Sequence, residues 1–155
     1  MAKSRPLSQL GQDLRVGIEL SLEKAAHGIV HELKDRGPYW SGDFEAAWVA
    51  EPGQKLIPSP KPEGEYEDTP KQRQMTPIMI QPTTPEKGYT IANEMEYADK
   101  AMDLEPGDDG LYRGERPRET SKTGRDWFER FMQGGELYDV LGDAVEDGLR
   151  IAGFK

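Results

Sequence analysis

From Leu7 to Leu33 apolar side chains recur every three or four positions, at Leu7, Leu10, Leu14, Ile18, Leu22, Ala25, Ile29 and Leu33. That spacing predicts one continuous stripe on a long helix. Pro6 suits the first turn of such a helix, and Gly37 with Pro38 predicts its end through a left-handed cap and a residue that cannot continue it. Gly11, Gly17 and Gly28 each weaken the helix by roughly 1 kcal/mol relative to Ala, so packing must compensate. A second stripe, Leu137, Val140, Leu141, Ala144, Val145, Leu149 and Ala152, predicts a closing helix with Asp139, Asp143, Glu146 and Asp147 on its other side. Before it, Thr123 and Asp126 have capping-box spacing, which starts a helix that carries Trp127, Phe128, Phe131 and Met132 inward until Gly134 and Gly135 interrupt it.

The middle of the chain has a different rhythm. In PYWSGDFEAAWVAEPG, Asp43 is placed to cap a single helical turn before Ala47, Trp48 and Val49 enter a strand. TPIMIQ (76–81) and GYTIAN (88–93), joined by PTTPEKG, predict a hairpin whose first strand Pro77 confines to an edge. In GYTIANEMEYADKAMDLEPG the strand formers stop at Asn93, and a short helix is predicted from Glu96 to Glu105. Between Glu51 and Met75, Pro52, Pro58, Pro60, Pro62 and Pro70 break any regular element, so this stretch is expected to be an extended arm or loop. The predicted class is α+β: a long N-terminal and a C-terminal helix packed on a small antiparallel sheet. One domain spans 1–155, with a proline-rich arm over 51–75 and a C-terminal helical region over 124–152.

Composition narrows the functions. The 155 residues are 35% hydrophobic and 32% charged, so the core is thin and a neighbour that buries more surface is a natural source of stability. No apolar run is long enough for a membrane span, and MAKSRPLSQLG has two basic residues but no apolar stretch of a secretory signal behind them. The lack of cysteine excludes disulfide and thiol chemistry and suits a reducing cytoplasm. A net charge of -9 opposes binding to phosphate backbones, so nucleic acid is not expected as a ligand.

Candidate chemistry is sparse. His27 and His31 share a helix face, with Glu32 beside them, and would present two ligands to one metal. However, Gly28 stands where the zincin pattern needs glutamate, and the sequence has no third histidine. No metal or cofactor is therefore expected. The acidic runs EGEYED and EPGDD lack the ligand spacing of a calcium loop, and TSKTGRD lacks the glycine pattern of a phosphate cradle. Tyr39, Trp40, Phe44 and Trp48 are expected to close the core beneath the sheet rather than to form an open ligand cage.

Two blocks of the sequence go further. LKDRGPYWSGDFEAAWVA after a long helix, and later GYTIANEMEYADKAMDLEPG, resemble the tail-component family of long-tailed bacteriophages, whose members sit at the head-to-tail junction and complete or terminate the tail. Pro38, Ser41, Gly42, Phe44 and Trp48 carry the first block, while Ile91, Asn93, Tyr97, Ala98, Glu105 and Gly107 carry the second. Pro106 between Glu105 and Gly107 departs from the family outline, as does the length of the 51–75 arm. The resemblance implies a structural virion protein and no enzyme: a homo-oligomeric ring at the neck, sixfold if it belongs with the tail and twelvefold on the head side. Its partners would be copies of itself, the head-side connector and the tail tube, with DNA only passing through the channel, and it would assemble in the host cytoplasm. The sheet edge and the arm, with Pro58, Pro60, Pro62, Tyr66 and Pro70, are the expected contacts. The resemblance also implies that Asn93 closes the strand and caps the turn that follows. The alternatives are a small metal-dependent enzyme using His27 and His31, and a transient assembly factor.

Overall fold

The computed structural model describes residues 6–37, 42–53, 77–95, 98 and 127–154. Helix α1 runs Leu7–Arg36, a single turn α2 runs Asp43–Ala46, and strand β1 runs Trp48–Pro52. Strand β2 covers Tyr89–Asn93, followed by helices α3 (Trp127–Gln133) and α4 (Glu136–Ile151). The fold is α+β: two principal helices packed with a two-stranded antiparallel sheet. None of the described helices is long and apolar enough to cross a membrane. The arm over 51–75 lies outside the described residues beyond Gly53, as do the helix expected from Glu96, apart from Ala98, and the Thr123–Asp126 capping box.

The long helix forms where its spacing predicts, but its apolar stripe is only half used. Of the stripe, Ala25 and Leu33 are buried and Leu22 and Ile29 half-buried, whereas Leu7, Leu10, Leu14 and Ile18 are exposed; Ala26 and Val30, from outside the stripe, are buried beside it. The physical reason is the length of its partner. Helix α4 packs antiparallel to α1, with Val140 opposite Gly28 and Leu149 and Ala152 opposite Gly17, and it ends there. The first turns of α1 run on past it.

Small residues set how closely the two helices approach. A Cβ on Gly17 would stand 3.0 Å from Leu149 Cδ2, and one on Gly28 would stand 2.7 Å from Val140 Cγ1. A Cβ on Gly148 would come within 2.7 Å of the Gly17 carbonyl oxygen. Ser21 lies in the same crossing and donates its hydroxyl to the Gly17 carbonyl at 2.7 Å. The glycines that weaken α1 as an isolated helix are thus offset by close packing, as dispersion at short range requires. Lys24 and Asp147 (3.3 Å) and Arg36 and Glu136 (2.6 Å) tie the flanks of the pair.

Several expectations need correction. Gly37 ends α1 in an extended conformation, φ -65 and ψ 162, not through a left-handed cap. Its value is spatial, because a Cβ there would meet Phe44 Cε1 at 2.9 Å and the Leu33 carbonyl at 3.0 Å. Asp43 does not cap α2. The cap position is Gly42 at φ 97, a left-handed conformation that glycine adopts without steric cost, and Asp43 begins the turn itself. On α3, Trp127 and Phe131 are fully buried, but Met132 faces outward. On α4, Val145 is exposed and Asp147 faces α1. Gly135, at φ 97, separates α3 from α4 as the paired glycines predict.

The sheet differs in its pairing. Thr76 lies outside the described residues; residues 77–81 of the expected strand form none, and β2 pairs with β1 instead, with Trp48 opposite Asn93 and Pro52 opposite Tyr89. Pro77 and Pro82 bracket that segment and remove ladder donors at both ends, while β1 offers an uninterrupted run up to its last residue. Ile78 and Ile80 still pack on the core. The Tyr89 hydroxyl donates to the Gln81 carbonyl at 2.7 Å, so a side chain holds the segment beside the sheet where backbone pairing does not.

The core gathers Ala26, Val30 and Leu33 of α1, Phe44, Trp48 and Ala50 of the turn and β1, Met95, Ala98, and Trp127 and Phe131 of α3. Its aromatic rings meet edge to face, Phe44 with Trp48 at 5.9 Å and with Trp127 at 6.3 Å. This is the favoured geometry for ring quadrupoles.

Candidate functional site

Among the described residues that carry the family resemblance, Gly42, Phe44, Trp48, Ile91, Asn93 and Ala98 form a joint rather than a cleft. Gly42 turns the chain into α2, which places Phe44 and Trp48 on successive sides of the aromatic cluster and starts β1. From the second block, Asn93 ends β2 directly opposite Trp48. Its Nδ2 donates to the Phe44 carbonyl at 2.9 Å, and its Oδ1 accepts from the Met95 backbone N–H at 3.0 Å. The backbone N–H of Glu94 donates to the Ala47 carbonyl at 3.0 Å, extending the join by one more bond. The abrupt change after Asn93 therefore has a local cause: its side chain satisfies the donor of the next turn and an acceptor in the earlier block.

Ala98 is helical and buried in the same core, and its N–H donates to the Met95 carbonyl at 3.1 Å. Ile91 is half-buried against the cluster. Pro38, Ser41, Tyr97, Glu105 and Gly107 lie outside the described residues, as do Tyr39 and Trp40 and the arm positions Pro58, Pro60, Pro62, Tyr66 and Pro70.

One feature of this joint is absent from the sequence reading. Lys34 Nζ stands 3.5 Å from Glu45 Oε1 with both side chains only 2% exposed, so an ion pair is sealed between α1 and α2. Removing two charges from water is costly, and the pair is tolerated because each partner neutralises the other. The signal was available in principle, since Lys34 continues the buried face of α1, but a lysine near a helix C-terminus is ordinarily read as exposed.

The second constellation lies on the other flank of the helix pair. His27 and His31 line an open groove of about 600 Å³ with Glu23, Glu32, Asp143 and Asp147. His27 is half-buried and His31 exposed. Asp147 is already engaged by Lys24 and by Arg150, and Glu32 by Arg36 at 2.8 Å. Among the described residues no group of three His, Asp or Glu side chains is placed to hold one metal ion. The groove is an open furrow beside the helix crossing, lined by charged side chains and by Leu20, Val140 and Ala144.

Comparison of the chain with protein-family models, with curated proteins and with solved structures gives no match.

Proposed function

We propose that this chain is a structural subunit of a tailed-bacteriophage virion that forms a ring at the neck and joins the head-side connector to the tail, in a tail-completion or terminator role. The observation that carries the reading is the joint at Asn93. The two sequence blocks that resemble the tail-component family are far apart in the chain, yet one side chain bonds them, Asn93 to Phe44, and Trp48 pairs with Asn93 across the ladder. Motif residues that serve a shared fold are expected to meet in this way, whereas a chance resemblance has no reason to bring them together.

Physical economy supports the same reading. A subunit with a thin core and exposed apolar positions gains stability by burying surface against copies of itself, and rotation of a heterologous contact closes a ring. A net charge of -9 suits the wall of a channel that DNA must cross without adhering. The test is native mass measurement of the purified chain together with inactivation of its gene in the producing phage. The expected results are a closed ring of six or twelve copies and an accumulation of unjoined heads and tails. Particles that assemble normally without the chain would overturn the proposal.

A further inference from the structure

His27 and His31 stand about one helical turn apart on α1, and both line the open groove of about 600 Å³ beside the helix crossing. Neither imidazole has a hydrogen-bond or ion-pair partner among the described residues. Other charged side chains around them are committed: Lys24 and Arg150 to Asp147, and Arg36 to Glu32. Glu23 and Asp143 line the same groove, also without an ion-pair partner among the described residues, and leave its rim negative around the two rings.

Residues four apart on a helix hold their Cβ atoms about 5–6 Å from each other. Two imidazoles so placed can close on one ion at the roughly 2.0–2.1 Å of a metal–nitrogen bond. The turn they span contains Gly28. That glycine is needed for the helix crossing, because a Cβ there would stand 2.7 Å from Val140 Cγ1, yet it is the residue of the turn least suited to a helix. A bridge from His27 to His31 restrains this turn from the groove side, so that the close packing is kept while the helical order that glycine weakens is restored.

We infer that His27 and His31 form a two-histidine site for a divalent first-row ion, copper, nickel or zinc, which braces α1 across Gly28. Neutral imidazole suits these ions, the chain has no cysteine thiolate to select a softer one, and magnesium and calcium take oxygen ligands. Among the described residues no third His, Asp or Glu converges on the pair, so water fills the remaining positions and the ion exchanges more readily than in a closed four-ligand site. Glu23 and Asp143 attract the cation without ligating it. No reaction is assigned to the ion, and the site stands whether or not the chain forms the ring proposed above.

The test uses the full-length chain prepared without a histidine tag, stripped of metal with a chelator and titrated in turn with nickel(II), zinc(II) and magnesium(II). Isothermal titration calorimetry is expected to show one nickel or zinc ion bound per chain and no magnesium. His27→Gln and His31→Gln are each expected to weaken this uptake about tenfold or more, since either leaves a single imidazole. Circular dichroism checks that the variants keep their helices, and the exposed His31 decides the matter should His27→Gln fail to fold. Saturating zinc is expected to raise the thermal unfolding midpoint of wild type but not of His31→Gln. A wild-type chain that takes up neither ion, or uptake that persists unchanged in a folded variant, would overturn the site. Ions that bind without raising the midpoint would overturn the brace.

Discussion

Asn93 makes two hydrogen bonds at the exit of β2, one to each side of the joint. Asn93→Ala removes both and leaves the Met95 N–H and the Phe44 carbonyl in search of partners, a loss expected to cost about 1–3 kcal/mol. Urea unfolding of the variant measures it. Glycines in the same helix pair are expected to respond in opposite directions. Gly148→Ala drives a Cβ against Ser21 and the Gly17 carbonyl and should destabilise the chain by about 1–3 kcal/mol. Gly142→Ala meets nothing within the subunit and should stabilise its helix by about 0.5–1 kcal/mol when measured on the dissociated subunit. Tyr89 supplies a pH dependence. Burial first, and the Glu23 carboxylate second, raise its hydroxyl above the ordinary value of 10.0. A group that holds its proton more tightly when folded contributes stability below its unfolded pKa and loses it as pH climbs through the folded value. The advantage of wild type over Tyr89→Phe should thus be constant through neutral pH and shrink once pH exceeds 10.0, as denaturation midpoints across that range would show.

At the scale of elements, the buried Lys34–Glu45 pair fixes α2 against α1. Lys34→Met alone strands the Glu45 carboxylate and is expected to cost about 3–5 kcal/mol, whereas Lys34→Met with Glu45→Leu should recover most of that loss. Thermal or urea unfolding of the single and double variants decides it. The elements also differ in how far the sequence reveals them. The periodicity of α1 and α4 was legible because helices announce their apolar faces every three or four residues, and Gly134–Gly135 marked the break before α4. Which part of the α1 stripe is buried was not legible, because that depends on where α4 stops. The small residues Gly17, Ser21 and Gly28 facing Ala144, Gly148 and Ala152 did carry a signal of helix crossing, although single glycines read first as helix weakeners. The β1–β2 pairing was hidden for another reason. A nearby apolar run, TPIMIQ, offered β2 a local partner, and only the long-range register with Trp48–Pro52 satisfies the aromatic core. Of the joint, the sequence pattern points to Phe44, Trp48 and Asn93 but carries no signal that pairs Lys34 with Glu45.

Across the whole molecule, the proline-rich stretch is the expected assembly contact. Deleting residues 58–70 tests it. The helical signal in circular dichroism should be retained, because α1 and α4 are held by their own contacts, while head-to-tail joining should be lost. Normal joining by the deletion variant would remove the arm from the interface.

The antiparallel pairing of Trp48–Pro52 with Tyr89–Asn93 makes residues 53–88 an excursion that leaves the sheet and returns to it. Closing such an excursion depends only weakly on its size, about 0.6 kcal/mol for each doubling of its length. Lengthening or trimming this excursion therefore carries a small closure cost, while the pairing of the ladder and the packing of the helix pair are left as they are. The same separation bears on folding: Trp48 and Asn93 are nearer in sequence than Gly28 and Val140, so the ladder closes a shorter loop than the α1–α4 crossing does.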